Sequence, residues 1–323
     1  MSAEETRIVD AHCHIASDEL IPRSFVDGAI SNILGKLIAQ GIPATRERLA
    51  NAYRRHLQDP QCDILVEEMD RAGIDKSILL AADFTYALKD CPLTIEETYE
   101  RHRAVLARHP GRFIVFGGMD PRWGKDGLDL FERSLREFGF RGFKVYPPCG
   151  FSPSDAGLFP FYELCSHYRL PVVVHIGPTS PVLSFEPTHP FMLDSAARRF
   201  AGVNFIMAHG SVSFVEECTM MCAYRPNLYL DVSAFQVAVG TATVARRSVR
   251  ELVSKGINHK ILFGTDWPVF RLQGNQLTFV EELTAARGQL SDLCGPDRRL
   301  ILHANAERLL APSEVGRELA SPN

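Results

Sequence analysis

Eight short runs rich in Val, Ile, Leu and Phe recur along this chain, separated by segments of helical periodicity, and that alternation constrains the fold more than any other feature. The first is I-V-D-A-H-C-H-I, Ile8–Ile15. The others begin at Lys76 (K-S-I-L-L-A-A), Arg112 (R-F-I-V-F-G-G-M), Gly142 (G-F-K-V-Y), Pro171 (P-V-V-V-H-I), Val203 (V-N-F-I-M-A-H), Leu228 and Lys260 (K-I-L-F-G-T-D), following one another at roughly thirty residues. Strands that are apolar on both faces belong to parallel sheets covered by crossover helices. The expectation is an α/β protein, a single (β/α)8 TIM barrel over residues 1–323 with an insertion after strand one. A doubly wound open sheet is the alternative, weakened because no G-x-G-x-x-G follows the first strand and no P-loop is found.

Helical patterns fill the intervals. They cover Thr45–His56, Asp63–Ala72 with Gly73 as terminator, Thr94–His109 with Thr94 and Glu97 in capping-box spacing, Leu128–Phe138, Phe159–Tyr168, Pro190–Phe200, Phe214–Tyr224, Val244–Lys255, Leu277–Arg287 and Ala304–Leu310. The insertion, 16–60, is too long for a simple connection and is expected to form a lid or an oligomer contact, which makes a homodimer one expected assembly. Residues 312–323 read as a C-terminal tail.

Composition removes several function classes. With 46% hydrophobic and 23% charged residues and a net charge of -4, the chain is a globular one without an electrostatic footprint for nucleic acid or an anionic membrane. No apolar run approaches the ~18 residues of a membrane span. Eight cysteines without a C-x-x-C pair, and an N-terminus without an apolar signal region, point to reduced thiols in a cytoplasmic protein. Cys218 and Cys222, four apart on a helix, are expected to pack.

In a barrel the chemistry gathers at the C-terminal ends of the strands. Here those ends carry His12 and His14, Lys144, His175, His209 and Asp266. His12 and His14 are two apart on a strand, so both rings point to one side, and Cys13 between them points to the other. A pair of histidines is weak on its own, since two core histidines give the same pattern. Six such residues spread over five strand ends are a stronger signal, because burying them without partners costs several kcal/mol each. Neutral imidazoles and a carboxylate are the usual donors to zinc, which brings the pKa of bound water toward neutrality, and Asp266 could accept the proton.

At these residues the chain resembles the amidohydrolase superfamily over nearly its whole length. D-A-H-C-H matches the strand-one motif, V-V-V-H-I and F-I-M-A-H-G the fifth and sixth strands, L-F-G-T-D-W-P the eighth, and H-A-N-A-E-R-L-L a closing helix of the amidohydrolase-related branch. That branch contains metal-dependent decarboxylases of aromatic and muconate acids, lactonases and small hydrolases. Too few residues flank the barrel for the β-sandwich domain of dihydroorotase and urease relatives, which points the same way. The resemblance implies that His12, His14, His175 and Asp266 hold the principal ion and that His209 polarises the substrate or binds a second one. Lys144 departs from the muconate-type decarboxylases. It is either a carboxylated bridge between two ions or a cation for a substrate carboxylate, and one ion is the favoured reading.

Arg122, Tyr146, Trp267 and Arg271 follow strand ends and could contact substrate; for the arginines a surface salt bridge is about as good a reading. Phe151, Glu186 and His189 are weaker candidates. The expected function is metal-dependent hydrolysis of an amide, lactone or ester of a small molecule. The alternatives are non-oxidative decarboxylation of an aromatic or muconate-type acid, and a barrel that only binds ligand.

Overall fold

The computed structural model describes residues 7–234, 251–269, 271, 276–284, 290 and 293–311. Its centre is an eight-stranded parallel sheet: β1 (Val9–Cys13), β2 (Lys76–Leu80), β3 (Phe113–Gly118), β4 (Gly142–Val145), β5 (Val172–His175), β6 (Phe205–Ala208), β7 (Leu228–Asp231) and β8 (Ile261–Leu262), each paired with its neighbour in sequence order. The ring closes through the backbone after β8. Ala11 N–H donates to the Phe263 carbonyl at 2.8 Å, Asp266 N–H to the His12 carbonyl at 2.7 Å and His14 N–H to the Trp267 carbonyl at 2.7 Å. This is the (β/α)8 barrel that the apolar runs require. Regular strand pairing stops at Leu262, short of the expected Asp266, whose φ of +53° turns the chain out of the ladder.

Side-chain parity organises the interior. Val9, Ala11, Ile78, Leu80, Phe116, Val173, Ile206, Ala208, Tyr229 and Leu262 form one buried cluster inside the barrel, closed below by Ala306 and Leu309. Phe143, Val145, Val172, Val174, Leu228, Leu230, Ile261 and Phe263 belong to the larger cluster between strands and helices. Counting by two from the interior residues brings His175, Asp231 and Asp266 to the inner side, and Lys144 lies there because its neighbours Phe143 and Val145 face out. In β1 the count breaks: Val9 and Ala11 face inward, yet Cys13 packs in the outer layer, across an irregularity in register between Asp10 and Cys13. Such a bulge re-aims side chains. It brings His12 and His14 inward although Asp10 faces out.

Asp10 makes the outer clamp. Its carboxylate accepts from Thr265 N–H at 3.0 Å, Thr265 Oγ1 at 2.6 Å, Cys13 Sγ at 3.1 Å and Gln276 Nε2 at 3.1 Å, tying β1 to the segment that carries Asp266. Cys13 is therefore part of this clamp. All eight cysteines are unpaired, and Cys218 and Cys222 are buried as expected.

Helix boundaries follow local signals. The helix Ile95–Arg108 starts at a complete Thr94–Glu97 capping box, and Asp63–Ala72 ends at Gly73 with φ +69°. The expected Leu128–Phe138 helix begins earlier, at Gly124, and ends in a π turn over Ser134–Phe138; Pro190–Phe200 opens with a turn of 3-10 helix, Pro190–Leu193. Of the expected Val244–Lys255 and Leu277–Arg287 helices, 244–250 and 285–287 lie outside the described residues, as does the 312–323 tail.

The insertion is a helical hairpin, α1 (Arg23–Ala39) and α2 (Arg46–His56), pinned at its base by a two-residue ribbon, Ala16–Ser17 with Gln58–Asp59. The sequence reading missed α1. It has two internal glycines, and only Gly28 and Ile30 are buried. Gly28 rests on the loop after β5: an added Cβ would stand 2.4 Å from Ser180 Oγ, and Ser180 Oγ in turn donates to the Phe25 carbonyl at 2.7 Å. No helix among the described residues is long and apolar enough to cross a membrane.

Candidate active site

His12 is buried at the end of β1, where its Nδ1 lies 2.8 Å from Asp231 Oδ2. An ionised carboxylate only accepts, so Nδ1 is the protonated nitrogen and Nε2 carries a lone pair. That Nε2 is buried without a hydrogen-bond partner. His14 is fixed in the same sense: its Nδ1 is 2.8 Å from the Leu80 carbonyl, which can only accept. Both Nε2 atoms converge on one oxygen, Asp266 Oδ1, at 3.5 Å from His12 and 3.3 Å from His14. The three donor atoms lie within 4.8 Å of one another.

Electrostatics keep His12 and Asp266 in the state a cation requires. Burial lowers the pKa of His12, outweighing the attraction of Asp231 and Asp266, and the ring is neutral. Burial alone would raise Asp266, but His12, His14 and His209 outweigh it and hold the carboxyl well below the usual range. The buried His12 lone pair faces an anionic oxygen without a hydrogen between them, which is unfavourable unless a cation joins them, and His14 Nε2 is aimed at the same oxygen. The residues fit a divalent ion.

The other expected residues stand around this cluster. His175 lies at the end of β5, its Nε2 3.1 Å from the Pro178 carbonyl and its ring centroid 4.9 Å from that of His209. Burial holds it well below the ordinary histidine value. The structure thus brings His12, His14 and Asp266 together as a donor set, with His175 beside His209 but outside that trio. His209 follows β6 with φ +62°, and its Nδ1 is 2.8 Å from Ser233 Oγ. Lys144 faces inward from β4, is 1% exposed, and its Nζ has no hydrogen-bond partner. Burial lowers its pKa to about 8, against the pull of Asp266 and Asp231.

Tyr146, Arg122, Trp267 and Arg271 are already engaged. Tyr146 hydroxyl is 2.8 Å from Thr179 Oγ1. Arg122 donates to Asp120, at 2.7 Å from Nε, and to the Cys149 carbonyl. Trp267 is buried, its Nε1 donating to Glu68 Oε2 at 3.0 Å, while Arg271 Nε donates to Glu68 Oε1 at 2.8 Å. An aromatic wall runs from the insertion toward the mouth, with ring centroids 5.3 Å apart for Phe25 and Phe84, 5.2 Å for Phe84 and Tyr146, and 4.7 Å for Tyr146 and His175.

Sequence reasoning passed over Asp231 and Ser233, both fully buried at the end of β7. Parity with Tyr229, two and four residues before them, was the available signal. It also passed over Glu68 and gave Asp10 no role.

A family model for amidohydrolases matches residues 9–311. The chain belongs to the amidohydrolase family. It is an enzyme of the amidohydrolase superfamily, and metal-dependent chemistry is the property its fold and donor set support together. Among solved structures it is similar to an uncharacterised TIM-barrel protein from Bordetella bronchiseptica, at 21% identity over 94% of this chain and 98% of that one, TM-score 0.64. A dihydroxybenzoic acid decarboxylase from a Polaromonas species, solved with bound manganese and the inhibitor 2-nitroresorcinol, is 18% identical over 94% of this amidohydrolase and 96% of that chain, TM-score 0.61. A 4-oxalomesaconate hydratase from Rhodopseudomonas palustris is 15% identical over 94% and 95%, TM-score 0.60. At these identities the likeness is one of fold. No curated protein matches the sequence.

Proposed function

We propose that this amidohydrolase is a metal-dependent carboxy-lyase acting on a small aromatic or unsaturated acid, with Lys144 as the proton donor. The observation that carries the reading is the Lys144 ammonium, buried in the barrel mouth with no hydrogen-bond partner. Leaving a cation in that state costs several kcal/mol unless an anion arrives to meet it. A neutral amide, lactone or ester brings no such anion, whereas an organic acid does.

His12, His14 and Asp266 would hold one divalent ion, with His175 as a further donor. Zinc suits the donor set, and manganese, which the Polaromonas decarboxylase contains, is the alternative. When bound, the ion supplies Lewis acidity toward the oxygens of the substrate. In the carboxy-lyase reaction the bond between the ring or alkene carbon and the carboxyl carbon breaks, carbon dioxide leaves, and a proton takes its place. Asp266 cannot supply that proton at neutral pH, because its carboxyl is held ionised. The buried histidines are neutral. Lys144, lowered to about 8, carries a proton at pH 7 and stands near the pKa of an effective general acid. The wall of Phe25, Phe84 and Tyr146 suits a flat substrate.

Hydrolysis, which the sequence favoured, is the second reading. The specific observation for it is Asp266, an ionised carboxylate facing the Nε2 atoms of two histidines, an arrangement that also suits activation of water.

The test is incubation of the metal-loaded enzyme with hydroxybenzoates, unsaturated acids, lactones and amides in deuterium oxide enriched in oxygen-18. The expected result is release of carbon dioxide with one deuterium on the vacated carbon. A carboxylate product carrying solvent oxygen, without carbon dioxide, would overturn the proposal in favour of hydrolysis.

A further inference from the structure

The end of β7 carries a buried hydrogen-bond network whose proton positions can be deduced from counting. Asp231 Oδ1 receives the backbone N–H of His209 at 2.8 Å, the backbone N–H of Ser233 at 3.1 Å, and a close contact from Ser233 Oγ. Asp231 Oδ2 faces His12 Nδ1. Three donors crowd Oδ1 and His12 Nδ1 faces Oδ2, so both oxygens of Asp231 serve as acceptors. Ser233 has one hydrogen, and the acceptor pressed against it is Asp231. Once that hydrogen is given, Ser233 Oγ can only accept, and the atom 2.8 Å from it is His209 Nδ1. His12 Nδ1 lies 3.2 Å from the same hydroxyl, a weaker second contact beside its bond to Asp231.

We infer that Asp231 and Ser233 are positioning residues that jointly fix His12 and His209 as the tautomer protonated at Nδ1, leaving Nε2 of both rings as an acceptor. For His209 this removes one of the two roles that the resemblance implies, the polarising one. A neutral His209 cannot polarise a substrate oxygen by donating from Nε2. It is a proton acceptor or an ion ligand. The sharing is also directional. Asp231 acts on His12 directly and on His209 through Ser233, so the two histidines respond differently to loss of the hydroxyl. The inference concerns the apoprotein's own hydrogen bonds and holds whichever reaction the enzyme performs.

Ring-nitrogen NMR of the metal-free protein, labelled with nitrogen-15 in its histidine side chains, reads the tautomer directly. His12 and His209 are assigned by loss of their signals in His12→Gln and His209→Gln. The expected wild-type pattern at pH 7.5 is a protonated, pyrrole-like Nδ1 and an unprotonated, pyridine-like Nε2 for both. Ser233→Ala should release His209 into a mixture of tautomers while His12 keeps its pattern, and Ser233→Thr, which retains the hydroxyl, should restore His209. Asp231→Asn should disturb both rings and weaken divalent-ion binding by about 10- to 100-fold, the range typical when the partner of a ligating histidine is removed. A protonated Nε2 on His209 in the wild-type protein would overturn the inference, and that measurement stands even if a variant fails to fold. So would ring signals of His209 that do not move in Ser233→Ala.

Discussion

His12 Nε2 and Asp266 Oδ1 stand 3.5 Å apart with no hydrogen to share, one a lone pair fixed by Asp231, the other an oxygen of an ionised carboxylate. They lie far apart in the sequence. The barrel brings them together by closing β1 against the segment after β8, and the Asp10 to Thr265 bonds hold that seam.

Lys144→Met tests whether stability has been given up for function. Methionine has nearly the same length and no charge to desolvate, so the variant should be more stable than the wild type by about 1 to 3 kcal/mol in denaturant melts. Turnover should fall at least 100-fold, the lower end of what a general acid contributes. An unchanged melt together with unchanged turnover would contradict the role given to this side chain.

Glu68 joins the helix Asp63–Ala72 to the segment after β8 through Trp267 and Arg271. Glu68→Ala leaves a buried indole N–H and a half-covered guanidinium without their acceptor. The expected loss is about 2 kcal/mol of stability, since a buried donor left unpaired costs about 1 to 3. Ion affinity should also fall, because Asp266 precedes Trp267 directly. Glu68→Gln, which keeps one acceptor, should lose less on both counts.

His102 sits fully covered in the helix Ile95–Arg108, its Nδ1 bonded to the Thr98 carbonyl, and burial lowers its pKa to about 4 from an ordinary 6.5. The unfolded chain therefore takes up a proton there before the folded one does. Stability is full above pH 6.5, falls as pH drops from 6.5 toward 4, and levels off below that, with about 3 kcal/mol as the upper bound for this residue. Urea melts of the metal-free protein at pH 7.5 and pH 5 should show the loss, and His102→Gln should reduce it. A His102→Gln protein with the same pH slope as the wild type would assign the effect elsewhere.

Gly28→Val probes the insertion. Its side chain would push α1 off the loop at Ser180 and Val182. The expected outcome is a higher KM with ion binding intact, because the substitution displaces Phe25 and the insertion but touches no donor of the trio. Loss of ion affinity would show that the insertion acts on the trio itself.

How much of this was legible in the sequence follows from the range of each interaction. The barrel, its strand order and the inward aim of Lys144 and His175 come from local periodicity, which the sequence displays. Asp231 and Ser233 obeyed the same count and could have been found by it. His12 and His14 were placed correctly as a pair, but the bulge that separates their face from that of Asp10 depends on pairing with β2, which no local pattern records. Trp267 and Arg271 read as substrate contacts because their partner, Glu68, lies 199 positions from Trp267. Helix α1 was missed because Gly28 weakens the helical signal for a reason that only its neighbour Ser180 explains.

Ion binding to the apoprotein is the most direct measurement of the central claim. Calorimetric titration of zinc or manganese into the metal-free wild type should give one tight site per chain, weakened at least 100-fold in His12→Ala, His14→Ala and Asp266→Ala, each still folded by circular dichroism. Affinity that survives all three substitutions, or a folded wild-type protein that binds neither ion, would contradict the assignment of this trio as the metal centre.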